Sequence, residues 1–172
     1  NGYEKVISEA NLTPSEAYYF TFPSEEEVKD CSLQFSHWSS FEPWDSYRNY
    51  LVAKEYCGLR ESDDTNGGTF TNFSQNDQAL YSLHVYMMYL KFGFGRATQD
   101  AGIEIRRGAM SRDQAVNLVK LYDGQYPEQF VDLYLDYYEM SKQEFDAVLD
   151  KWVNKELFTK KQGRWAPTFT VS

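Results

Sequence analysis

The sequence predicts a mainly α-helical domain, and three observations carry that expectation. Ser111-x-x-Gln114 and Ser141-x-x-Glu144 are capping boxes, in which a hydroxyl and a side-chain acceptor satisfy the first free N–H groups of a helix. Behind such starts, Ala115/Leu118/Val119/Tyr122, Phe130/Leu133/Tyr134/Tyr137 and Phe145/Val148/Leu149/Trp152 repeat at i, i+3, i+4, i+7, the period of one buried helical stripe. Between Leu80 and Leu90 the chain is apolar on most faces, as a helix central to a core would be.

Taken in order, the elements begin with a polar, irregular stretch over residues 1–30. In it, Ser24 followed by Glu25, Glu26 and Glu27 reads as a helix start with acids in its first turn. Leu33, Phe35 and His37 alternate with Ser32, Gln34 and Ser36, a strand signal that Pro43-Trp44-Asp45 ends. Asp45 is placed to cap a helix through Tyr47, Tyr50 and Leu51 that stops near Gly58. Residues 59–76, rich in Asp, Asn, Gly, Ser and Thr, read as a loop. Asp77 can cap the central helix carrying Leu80, Leu83, Met87 and Leu90, and a further helix is expected from about Ala97 to Arg107, halted by Gly108. Pro127 suits a first helical turn, and Gln162-Gly163 between Thr159-Lys160 and Arg164-Trp165 suggests a small hairpin.

Composition bounds function. At 172 residues the chain is long enough for a sizeable core. A net charge of −9 argues against nucleic acid and anionic membrane as main partners. No run of about 18 apolar residues is present, so no membrane insertion is expected, and no signal peptide is visible. Cys31 and Cys57 lack metal or redox spacing, which makes a reduced, cytoplasmic setting the expectation. The start at Asn1 suggests a piece of a longer protein. Aromatic residues make up 17% of the chain; they can build a core, or stack sugars and pack on a partner.

Charge is unevenly spread. Ser111 to Asp150 holds nine acids against three bases, whereas Lys91, Arg96, Arg106 and Arg107 crowd a short stretch with only Asp100 and Glu104. Within it, Lys91-Phe92-Gly93-Phe94-Gly95-Arg96 puts two glycines before a helix start, where N–H groups can approach an anion. The bland alternative is a turn between helices. Arg96, Asp100, Glu104 and Arg107 share one helix face, either as an ion-pair ladder or as a phosphate and substrate grip. Trp44-Asp45-x-Tyr47 either staples a helix start or lines a sugar pocket. His84, on an apolar helix, reads as a core histidine. No metal site is expected, and no Gly-x-x-x-x-Gly-Lys-Ser/Thr loop, Gly-x-Ser-x-Gly elbow or His-Glu-x-x-His pair is present.

Phe41-Glu42-Pro43-Trp44-Asp45-Ser46-Tyr47 and Ala53-Lys54-Glu55-Tyr56, then Leu90 to Asp100, Ile105-Arg106-Arg107-Gly108, Ser111 to Ala115, and Asn154-Lys155-Glu156-Leu157-Phe158 stand in one order over roughly residues 20–166. The set resembles the C-terminal part of the N-acetyl sugar amidotransferases of bacterial lipopolysaccharide, O-antigen and flagellin-glycan biosynthesis, enzymes of the PP-loop ATP pyrophosphatase type. The resemblance implies that residues 1–75 are the C-terminal portion of an α/β nucleotide-binding domain and residues 76–172 a helical domain ending in a small hairpin. It implies adenylation of a sugar acetamido oxygen by ATP, with Mg2+, and displacement of AMP by ammonia from a partner glutaminase to give an acetamidino group. The substrate is a nucleotide-activated or free N-acetyl sugar. On this reading Lys91, Gly93, Gly95, Arg96, Arg106 and Arg107 bind the cofactor, Thr98 and Asp100 serve catalysis, and Trp44, Asp45 and Tyr47 bind substrate. The family's Ser-Gly-Gly-x-Asp-Ser adenylating loop is absent from these residues, so the isolated chain is expected to be inactive and to bind no ATP tightly. Two further readings belong to other classes: a non-catalytic helical module that docks a glutaminase or glycosylation partner, and a carbohydrate-binding module.

Overall fold

A computed structural model describes residues 2–29, 31–32, 34–75 and 78–172. Contacts divide the chain into two units, residues 1–44 and 45–172. In the first, α1 (Gly2–Glu9), α2 (Pro14–Ala17) and α3 (Glu25–Lys29) are short. Two capping boxes start the latter pair: Thr13 with Glu16, and Ser24 with Glu27, whose amide donates to Ser24 Oγ at 3.2 Å. The expected strand at 32–37 does not form over residues 34–37, and Leu33 lies outside the described residues. Among the described residues no neighbouring strand takes ladder hydrogen bonds from 34–37; the chain instead turns into a 3-10 helix at Trp38–Ser40.

The second unit is built on helices. Asp45 caps α4 (Ser46–Cys57) by accepting from the Arg48 amide at 2.9 Å, and Gly58, at φ +70°, closes it. Residues 58–75 form the expected irregular loop. The central helix α5 (Ala79–Phe92) buries Leu83, Val85, Tyr86, Tyr89 and Leu90. Gln78 precedes its first turn, and the expected cap Asp77 lies outside the described residues. Then come α6 (Arg96–Arg106), α7 (Arg112–Tyr122), α8 (Val131–Tyr137) and α9 (Lys142–Trp152). Both predicted capping boxes are formed, at Ser111/Gln114 and Ser141/Glu144.

The main core gathers Tyr86, Leu90, Tyr134, Phe145, Leu149, Val153 and Phe158 around α5. A second, smaller cluster joins α6 to α7 through Ala101, Ala115 and Val119, whose small side chains let the helices approach closely. The hairpin pairs β1 (Phe158–Lys161) with β2 (Arg164–Pro167), Lys161 opposite Arg164. Its two loop residues, Gln162 and Gly163, both have positive φ (51° and 82°), the twist a two-residue turn requires. Phe158 plugs the core, and the backbone amide of Asn154 donates to the Leu90 carbonyl at 2.9 Å, satisfying the end of α5.

Three phases depart from expectation. Pro127 precedes a 3-10 turn (Glu128–Phe130) instead of opening α8, so the inward position passes to Val131, while Leu133 and Tyr137 face solvent. Trp152 is half exposed, because α9 ends there and the extended Val153 enters the core instead. His84 is exposed, not a core residue: α5 turns its 84/88/91 edge outward and stacks His84 on Tyr81.

Candidate functional site: a polar cleft beside an ion-pair ladder

The glycine turn does two separate jobs. Gly93, at φ +80°, ends α5 in the left-handed conformation, its N–H donating to the Tyr89 carbonyl at 2.8 Å. Gly95 opens α6, and its amide donates to Asp123 Oδ2 at 2.9 Å. Thr98 adds its hydroxyl to the same oxygen at 2.6 Å and its amide to Oδ1 at 3.3 Å. A Cβ on residue 95 would lie 2.6 Å from Asp123 Oδ1, so only glycine admits that carboxylate. The helix N-terminus does take an anion, as its unpaired N–H groups favour. That anion is the chain's own Asp123.

Asp100 is also engaged. Buried to 6% exposure, it accepts from Arg96 Nε at 2.8 Å and from the Thr69 hydroxyl at 2.6 Å. The amide of Ala97 donates to the Gly68 carbonyl at 3.0 Å. Together these tie the loop at 67–69 to the first turn of α6. Thr69, 31 residues before Asp100, is a site-building residue that sequence reasoning did not single out. The only local trace is its place in an Asn-Gly-Gly-Thr turn.

On the other end of α6, residues of two distant motifs meet. Arg107 lies 3.5 Å from Asp45, its Nε donates to Glu104 at 2.8 Å, and its guanidinium stands 5.6 Å from the Tyr47 ring centre. The backbone amide of Arg48 and then Arg107 hold the Asp45 carboxyl below the usual range. Tyr47 and Tyr50 in turn pack on Phe73 of the 58–75 loop, the Tyr50 ring stacked at 4.5 Å. Glu61 of that loop accepts from Lys54 and Tyr50, and these two, in that order, bring its carboxyl down to about 2.

The same loop lines a cleft of about 420 Å³ with the start of α5 and the link before α8. Ser62, Thr65, Asn66, Gln78, Ser82 and Gln129 supply hydroxyls and amides to its wall, Asp64 adds one carboxylate, and Tyr81 and Phe130 add rings. Burial raises the Tyr81 hydroxyl, with Arg96 opposing that shift, so Tyr81 connects the cleft wall to the Arg96–Asp100 pair. Hydroxyls and amides with one carboxylate and an aromatic neighbour suit polyhydroxylated ligands better than phosphates, which the Asp64 carboxylate repels.

Three expected residues remain. Lys91 sits over the rings of Phe92 (5.4 Å) and Trp152 (5.7 Å), Arg106 is exposed in the last turn of α6, and Trp44, in the first unit, is 64% exposed. For a triphosphate the fit is poor. The Gly93 amide is spent on the Tyr89 carbonyl, the Gly95 amide on Asp123 and Arg96 on Asp100, and Arg107 faces two carboxylates, which leaves its surroundings net negative. Among the described residues no helix is long and apolar enough to cross a membrane.

No curated protein matches the chain. Residues 67–170, from the glycine-rich turn through the hairpin, match the family described as LPS biosynthesis protein WbpG-like, C-terminal domain. Asp45, Tyr47 and the start of the loop fall outside the matched span, whereas Thr69, Arg96, Asp100 and Asp123 fall within it. The chain belongs to this WbpG-like C-terminal domain family, and its role lies in lipopolysaccharide biosynthesis.

Proposed function

We propose that this chain is the C-terminal, sugar-holding part of an ATP-dependent amidotransferase that converts an N-acetyl sugar's acetamido group to acetamidino. The observation that carries the reading is the cleft lined by hydroxyls and amides with the single carboxylate of Asp64, braced by the Thr69–Asp100–Arg96 network. Such walls can exchange hydrogen bonds with sugar hydroxyls and an acetamido group, with the Asp64 carboxylate as one further acceptor for hydroxyls. Asp100 holds the loop that shapes the cleft, and Thr98 holds α6 in register, so both position the site. Arg107, Asp45 and Tyr47 brace the other end of the same loop through Phe73.

The chemistry requires two transfers. An amide oxygen leaves poorly, so it first attacks the α-phosphorus of ATP and releases pyrophosphate; ammonia then adds to the activated carbon and AMP departs with the oxygen. With the Gly95 amide and Arg96 already engaged within the chain, adenylation, with its Mg2+, falls to a PP-loop-like α/β domain of which residues 1–75 are the tail. Ammonia comes from a glutaminase partner. Lys91 has no part in this assignment.

Titration of the chain with a free N-acetylhexosamine, followed by protein NMR, tests the cleft. Weak saturable shifts are expected at Ser82, Gln129 and the 62–67 loop, lost in Gln78→Ala/Gln129→Ala. Shifts confined to other surfaces, or unaffected by that variant, would refute the assignment. A separate measurement tests the chemistry. A protein joining this chain to a Ser-Gly-Gly-x-Asp-Ser domain should release AMP and pyrophosphate only with N-acetyl sugar and ammonia, and mass spectrometry should show nitrogen replacing the acetamido oxygen.

A further inference from the structure

The outward edge of α5 and the end of α9 enclose an apolar groove of about 440 Å³, lined by His84, Met87, Met88, Lys91, Phe92 and Trp152. Phe92 and Trp152 are each about half exposed, and methionine walls adapt their shape to what they meet. Two ammonium groups overhang the single Trp152 ring, Lys91 at 5.7 Å and Lys151 at 5.5 Å from its centre. Among the described residues neither lysine makes an ion pair. On a chain of net charge −9, these two unpaired cations over an exposed aromatic define what should fit: an apolar ridge flanked by carboxylates.

The chain itself presents such a ridge on α8. Leu133 (51% exposed) and Tyr137 (66%) stand one turn apart and face solvent, with Tyr138 beside them. Asp132 and Asp136, also one turn apart, flank them, and among the described residues neither carboxylate makes an ion pair. One helical turn separates the two acids by about 6 Å at Cβ, so both carboxylates stand along one side of the ridge.

We propose that the α5/α9 groove receives the outer face of α8 from a second copy of this chain, Leu133 and Tyr137 seating against Trp152 and the methionines while Asp132 and Asp136 meet Lys91 and Lys151. General repulsion between acidic copies disfavours other encounters, so charge complementarity selects this contact. Groove and ridge are different patches. A two-fold pair therefore makes the contact twice, while a head-to-tail arrangement makes it once per copy.

Sedimentation velocity over a concentration series tests this. The wild-type chain should show a concentration-dependent mass above the monomer that falls with added salt. Lys91→Glu/Lys151→Glu and Asp132→Lys/Asp136→Lys should each weaken association by at least about tenfold. The chain carrying all four exchanges, or a mixture of the two variants, should recover it. Unchanged far-UV circular dichroism and thermal midpoints separate lost contact from lost folding, and Trp152→Ala provides an uncharged second disruption. A wild-type chain that stays monomeric throughout would overturn the proposal. So would association that survives both charge variants, or charge exchange that fails to restore it.

Discussion

Asp123 is the residue on which the glycine turn depends. It takes three donors from Gly95 and Thr98 and so does from outside the helix what a capping side chain does from within. Asp123→Ala leaves those donors without a partner and should destabilise the chain by about 1–3 kcal/mol; Asp123→Asn, which keeps an acceptor but loses charge assistance, should lie between it and wild type. Urea unfolding monitored by tyrosine and tryptophan fluorescence would measure both. A wild-type midpoint in Asp123→Ala would mean the cap contributes nothing. Gly124, next along, has φ +78° and faces Tyr89, whose Cε1 would lie 2.4 Å from an added Cβ. Strain and overlap act together at that point, so Gly124→Ala should cost more than Asp123→Ala. Of this arrangement the sequence made visible the two glycines and the attraction of the helix start for an anion. It did not reveal the anion, because Asp123 lies 25 residues beyond Thr98 and nothing in local pattern joins them.

At the scale of elements, legibility follows the range of the forces. The capping boxes at Ser111 and Ser141 are contained in four residues each, and both form as read. Ser141→Ala should lower stability by about 1 kcal/mol by leaving the Glu144 amide free; calorimetry would show this as a reduced thermal midpoint. The helix phases were less legible. A 3-10 turn before α8 shifts the inward position to Val131, and α5 carries apolar residues on so many faces that periodicity could not tell which edge faces out. That is why His84 read as a core residue and is exposed. The alternation at 32–37 has the period of a strand, but among the described residues no strand pairs with 34–37. The candidate site divides in the same way. Asp45, Tyr47 and Arg107 were each singled out and do meet, while the cleft residues Ser62, Asn66, Gln78 and Gln129 had no pattern beyond loop composition.

For the whole molecule, titration gives stability two edges. Carboxylates of Glu61, Asp45, Glu144 and Asp150 all lie below their usual values, Glu61 at about 2 because Lys54 and then Tyr50 hydrogen-bond its ionised form. Groups lowered in this way favour the folded state above their unfolded values. Their contribution is lost as pH falls below the ordinary values of 4.5 for the glutamates and 3.8 for the aspartates, that of Glu61 over the range down to about 2. Tyrosines set the other edge. Burial pushes the hydroxyls of Tyr86 and Tyr134 up to about 12 from an ordinary 10.0. The folded chain therefore holds protons that the unfolded chain has released, so stability present below pH 10 is lost as pH rises toward 12. Urea midpoints measured against pH should form a plateau that falls at both ends. Tyr86→Phe should make the alkaline fall shallower. Tyr134→Phe should do the same while lowering the plateau by about 1 kcal/mol, because the Tyr134 hydroxyl also donates to the Ala79 carbonyl at 2.6 Å and so anchors the start of α5. If both variants kept the wild-type alkaline limb, burial of these two rings would not be what sets that edge, and the exposed tyrosines and lysines would have to account for it.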